Sequence, residues 1–204
     1  MATFIQWAAI GNIIAGVLLL AFWSLFAILL PYRRLSDTLS ILVLNRYWIP
    51  VNALGVAGAI FGLFGLVGIF ASLGENLSGL DLIGFILAFL GTVLIIGTLL
   101  WDTIIWPILA NHEPSLLDFQ GPIYSSKTFL PFFITAGLVY SVGYLLFGLA
   151  ITNSTTFPAG AGWLLAIGGP LFGIGPMFGN WQVIVRTVGI VLLSVGLIWL
   201  GFIM

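Results

Sequence analysis

The amino-acid sequence points to an all-α integral membrane protein, a bundle of about six transmembrane helices with little structure outside the bilayer. Three observations lead there. Of 204 residues, 61% are apolar and 5% are charged, where a soluble domain carries about 25% charged residues. Glycine is abundant, at 26 residues, which suits helices that pack closely in lipid. The apolar residues form long unbroken runs, whereas a membrane β-barrel shows alternating segments of ~10 residues. A chain this poor in charge cannot cover a surface facing water, but lipid favours an apolar exterior.

A helix that crosses the hydrocarbon core needs ~20 mostly apolar residues. In lipid, helices dominate because every backbone polar group must be satisfied within the segment. Six stretches fit, at 4–30, 51–73, 80–108, 130–151, 161–178 and 183–203, and together they make one polytopic domain over 1–204. The fifth is short and contains Pro170 and Pro176, so a kink is expected there. The N-terminus lacks the basic region of a secretory signal, so the first run reads as a retained span. The connections 31–50 and 109–129 are the longest, and neither can hold a soluble domain.

Charge gives an orientation. With six spans, the connections 31–50, 109–129 and 179–182 share one side. That side carries Arg33, Arg34, Arg46 and Lys127, with Arg186 in the first turn of the sixth span, which accounts for every basic residue. The other side carries Glu75 and Asp81. The positive-inside rule assigns the basic side to the cytoplasm and both termini to the outside. Tyr32, Tyr47, Trp48, Trp106, Tyr124 and Trp181 are expected at the inner interface, and Trp7, Trp163 and Trp199 at the outer one. The two basic connections admit two readings. In one, Leu35, Leu39 and Leu42 form a short amphipathic turn capped by Ser36 or Asp37, and Pro114 opens a turn through 115–119, both laid on the membrane. In the other, both are irregular loops whose apolar residues touch the bundle.

Small residues recur at helical spacing. Gly55, Gly58, Gly62 and Gly65 line one face of the second span, and Gly84, Ala88 and Gly91 one face of the third. Gly169 and Gly173 form a GxxxG in the fifth, and Gly11 and Ala15 a looser version in the first. Small residues let helix backbones approach where lipid supplies no hydrophobic drive. The stripes therefore read as packing faces within the bundle. The second-span stripe is also the best candidate for a lipid-facing surface that receives a partner helix.

The candidate binding residues are few. Pro170 and Gly173 lie in a Gly/Pro-rich segment of the fifth span, which reads as a plain kink or as a broken helix whose freed backbone lines a cavity. Tyr140, Ser141 and Tyr144 share a face of the fourth span. They bond neighbouring helices, or orient the polar end of a small apolar molecule in a groove between the fourth and fifth spans. Asp102 follows twenty uncharged residues. It is an interfacial carboxylate paired with Arg186 or Arg46, or an intramembrane one with a functional role. Gln6, Asn12, Ser24, Asn52, Thr92 and Thr98 complete the expected buried polar set. His112-Glu113 reads as a solvated loop.

Cysteine is absent and there is one histidine. Thiolate chemistry, Cys-metal sites and a haem held between two histidines of this chain are therefore excluded. No catalytic residue, metal site or cofactor is expected, and the near-neutral charge gives nucleic acid no attraction. The expected partners are the lipid bilayer and other membrane subunits or further copies of the chain. The primary functional expectation is a non-catalytic accessory or structural subunit of a membrane assembly. The alternative is a carrier or binder of a small apolar molecule such as a lipid, quinone or carotenoid. An intramembrane enzyme would require Asp102, His112-Glu113 and Arg33-Arg34 to gather at one face.

Overall fold

The computed structural model describes residues 2–30, 39–74, 78–118 and 121–204. The chain is an all-α membrane helical bundle. Its helices are α1 (Ala2–Leu29), α2 (Leu39–Val43), α3 (Trp48–Ser72), α4 (Gly79–Leu100), α5 (Trp106–His112), α6 (Phe129–Asn153), α7 (Ala159–Gly173) and α8 (Gln182–Ile203). Five segments are long and apolar enough to cross a membrane: Thr3–Leu29, Trp48–Ser72, Gly79–His112, Phe129–Asn153 and Gly175–Ile203. The remaining apolar helix, α7, has 15 residues.

The long helices form a closed ring. Each packs against the next in chain order, and α8 returns to α1. The contacts fix the directions. A Cβ at Gly55, Gly58 or Gly65 of α3 would meet Phe22, Leu19 or Asn12 of α1, so numbers fall along one helix as they rise along the other. Gly84 and Gly91 of α4 meet Phe147 and Tyr140 of α6 in the same antiparallel sense. Gly148 faces Ala166, Gly168 faces Leu193, and Gly16 lies beside Ser194. Antiparallel neighbours around a closed ring bring the two ends of the chain to one end of the bundle. There the Asn12 amide donates to Met204 Sδ at 3.3 Å.

Glycine backbone contact closes every seam but one. The exception is α3–α4, where no glycine of either helix has the other helix among its nearest atoms. That seam is held at its ends. The Phe70 and Phe85 rings stack at 4.1 Å, and Trp48 reaches across to Asp102.

Local chemistry explains the helix ends. Ser78 and Asp81 form a capping box at the start of α4: Asp81 N–H donates to Ser78 Oγ at 3.3 Å, and Ser78 N–H donates to Asp81 Oδ2 at 2.8 Å. This satisfies donors that a helix start leaves orphaned. Between α4 and α5 the helix widens to a π turn, Trp101–Ile105, in which Trp106 N–H bonds back to Trp101 O. Pro107 is the cause. Its ring would crowd the carbonyl one turn back, and it has no N–H to give. The third span therefore continues as one rod to His112, past the expected end at 108.

Other expectations need correction. The fifth span ends as α-helix at Gly173, not 178, and continues as a tight 3-10 segment, Gly175–Trp181. Pro176 cannot continue an α-helix, and Gly179 takes φ +53°, a conformation glycine adopts without strain. In the first basic connection, α2 does form, but Leu39 and Leu42 are buried against protein, while Ile41 is exposed. Leu35, Ser36 and Asp37 lie outside the described residues, as do Arg33, Arg34 and Glu75. Pro114 opens a 3-10 turn, Pro114–Leu117, that packs with α2 and α5. Trp48 and Trp106 are buried against protein; Trp7, Trp163, Trp181 and Trp199 are exposed. Gln6 and Ser24 are exposed as well.

Candidate functional site at the ring axis

Among the described residues, the ring encloses a cavity of about 20 Å³, to which each ring helix contributes: Phe22, Gly62, Thr92, Tyr140 with Tyr144, Phe172 and Leu197. Its wall is apolar except for three hydroxyls.

Thr92 Oγ1 donates to Ala88 O at 2.7 Å, one turn back in its own helix, and lies 3.3 Å from the Tyr144 hydroxyl, toward which it is also placed to donate. The Tyr140 and Tyr144 rings lie 4.5 Å apart. All three side chains are buried.

Ser141, between the tyrosines in sequence, points elsewhere. Its Oγ donates to Gly137 O at 2.7 Å and lies 3.4 Å from Pro170 O on α7. Gly173 packs against Ser141, and Gly169 against the Tyr144 side chain. Backbone contact closes the seam between the fourth and fifth spans at these points, and both spans also line the axial cavity, through Tyr140, Tyr144 and Phe172. Pro170 and Gly173 belong to this contact.

The packing stripes fall at two seams. Gly55, Gly58, Gly62 and Gly65 face α1, and Gly84, Ala88 and Gly91 face α6. Gly62 differs from the rest of its stripe. A Cβ there would touch only Ala15 Cβ, at an ordinary 3.8 Å, whereas Gly65 is in direct contact with the Asn12 amide.

Asp102 sits in the π turn. Its carbonyl oxygen accepts from the Trp48 indole N–H at 2.7 Å. Across the same end of the ring, the Arg186 stem crosses Gly175, and its guanidinium lies 4.5 Å over the Trp23 ring and 4.8 Å over the Phe172 ring. From there the Arg186 charge acts on Asp102. Trp23 Nε1 donates to Thr187 Oγ1 at 2.6 Å, tying α1 to α8 beside it. Arg46 stacks instead on its neighbour Tyr47, at 4.6 Å.

His112 and Glu113 stand apart. Ten residues of helix separate Asp102 from His112, ~15 Å along the axis, too far to share a proton directly. Both His112 and Glu113 are exposed, and Glu113 accepts from Ser115 Oγ at 2.7 Å. Among the described residues, no three His, Cys, Asp or Glu side chains gather as metal ligands would. The hydroxyl cluster was hard to see in sequence. Its signal is Thr92, four residues after Ala88 and next to Gly91, at the edge of the stripe that meets Tyr140. No family model matches the chain, and neither a curated protein nor a solved structure is significantly similar to it.

Proposed function

We propose that this chain is a non-catalytic multi-pass membrane protein that serves as an accessory or structural subunit of a membrane assembly. The observation that carries the reading is the small size of the cavity between the helices. Pockets for small molecules commonly enclose about 300–1,000 Å³, and the axial cavity here has about 20 Å³. Most hydroxyls between the helices are spent on carbonyls of their own helix: Thr92, Ser141, Thr152 and Thr187 each donate one turn back. Such groups brace helices and are not poised as nucleophiles. A ring with so small a cavity presents its outer surface as its means of interaction, and the expected partners there are other membrane subunits or further copies of the chain.

The proposed orientation puts the end carrying Arg46, Lys127 and Arg186 in the cytoplasm, following the positive-inside rule. The rod Gly79–His112 has 34 residues, ~51 Å at helical rise against a hydrocarbon core of ~30 Å. Counting from Gly79, Asp102 lies ~35 Å along it, which supports an interfacial carboxylate near Arg186.

A second reading, a binder of a small apolar molecule, is favoured by the Tyr140–Tyr144–Thr92 hydroxyls at the centre. It requires the ring to open, and the seam without glycine contact, α3–α4, is where opening costs least.

Native mass spectrometry on protein extracted gently from its own membrane tests both. Further polypeptides, or further copies of the chain, at fixed stoichiometry are the expected result. A solitary chain carrying one defined small molecule would overturn the subunit reading in favour of the binder.

A further inference from the structure

We propose that the axial cavity is a binding site for water, held by the hydroxyls of Thr92, Tyr140 and Tyr144. Three independent features point to this ligand. The first is size: a water needs at least ~10–15 Å³ of cavity, and about 20 Å³ is present.

The second is polarity. An apolar cavity of this size stays dry, whereas one with polar partners takes up water. Here the buried Thr92, Tyr140 and Tyr144, each carrying a hydroxyl, line the wall, which offers a water the several polar partners it needs.

The third is Gly62. It lies in a stripe of glycines that allow close helix contact, yet its own Cβ position has room. What its missing side chain leaves is wall of the cavity. Glycine here keeps space for a ligand, whereas at Gly55, Gly58 and Gly65 it makes space for α1.

The test is solid-state NMR on the full chain in lipid bilayers, with ¹³C-labelled tyrosine. Magnetisation transfer is read from water protons and, separately, from lipid acyl protons. Tyr140→Phe and Tyr144→Phe assign the two buried signals. Fast transfer from water to the Tyr140 and Tyr144 ring carbons is expected. In Gly62→Ala, a methyl enters the cavity without meeting backbone, and that transfer should be lost while the spectrum otherwise stays native. Tyrosines that receive nothing from water would overturn the proposal, as would transfer from acyl protons instead. Unchanged water transfer in a folded Gly62→Ala protein would overturn it too, because the water would then lie elsewhere. Should Gly62→Ala fail to fold, Thr92→Val provides the second probe: removing one of the three hydroxyls should weaken the same signals.

Discussion

The indole N–H of Trp48 donates to the carbonyl oxygen of Asp102 at 2.7 Å, joining the first turn of α3 to the π turn below α4. The acceptor is free for a definite reason. In the register of the π turn, residue 107 would donate to it, and residue 107 is proline. A carbonyl freed inside a membrane helix needs another donor, and Trp48 supplies one. Trp48→Phe should therefore cost about 1–3 kcal/mol, the range for leaving a buried acceptor unsatisfied. Restoring the backbone donor with Pro107→Ala should shrink that cost. A double-mutant cycle on unfolding free energy in detergent checks the coupling. Equal losses in both backgrounds would show that the indole is only packing.

The glycine contacts make opposite predictions at neighbouring stripes. A Cβ at Gly91 would lie 2.5 Å from the Tyr140 backbone nitrogen, which cannot move without shifting α6. Gly91→Ala should destabilise the fold by about 1–3 kcal/mol or more, the cost of overpacking. Gly62→Ala meets only Ala15, at 3.8 Å, and alanine favours helix over glycine by up to ~1 kcal/mol. It should leave stability unchanged or raise it. Thermal unfolding of the two variants side by side gives the comparison.

Arg186 lies between two aromatic faces, Trp23 and Phe172, on helices either side of its own. Cation–π pairs of this kind contribute on the order of 1–2 kcal/mol where water is partly excluded. Arg186→Met should cost about that much. Arg186→Lys should recover only part of it, because the flat guanidinium stacks where a point charge does not. Intact stability in Arg186→Met would remove this contact from the account.

The absence of native cysteine makes orientation directly measurable. Single cysteines at Lys127 and Ser154 lie at opposite ends of α6. A membrane-impermeant maleimide applied from outside to intact cells should label Ser154→Cys. Lys127→Cys should react only after the membrane is opened. The reverse pattern would invert the orientation while leaving the ring untouched.

The spans were legible because lipid imposes so strong a rule: ~20 apolar residues, interrupted by charge and turn residues, mark each crossing. The packing faces were legible because glycine at helical spacing is rarely accidental in such helices. Ring closure was not, since nothing in the pattern of α1 or α8 says that Gly16 meets Ser194 and Gly201 meets Ala9. The stripe also hid a difference, because Gly62 and Gly65 read alike in sequence and only the position of α1 separates them. Tyr140 and Tyr144 were visible as a pair, but their partner Thr92 lies 52 residues away from Tyr144. Tryptophan at an interface usually anchors in lipid, and nothing in the pattern around Trp48 says that it turns inward to Asp102 instead. Pro107 held the clue to its use, since a proline in a spanning helix always leaves a carbonyl to be satisfied.

Closure of the ring by α1 against α8 underlies the small axial cavity, the proposed water site and the proposed subunit role alike. It is tested most directly by cross-linking in the native membrane. With cysteines at Trp23 and Thr187, whose side chains are in hydrogen-bond contact, a bifunctional thiol reagent shorter than a helix diameter, ~10 Å, should form an intramolecular bridge whose yield does not depend on protein concentration. No bridge, or only dimers that grow with concentration, would contradict the closed ring.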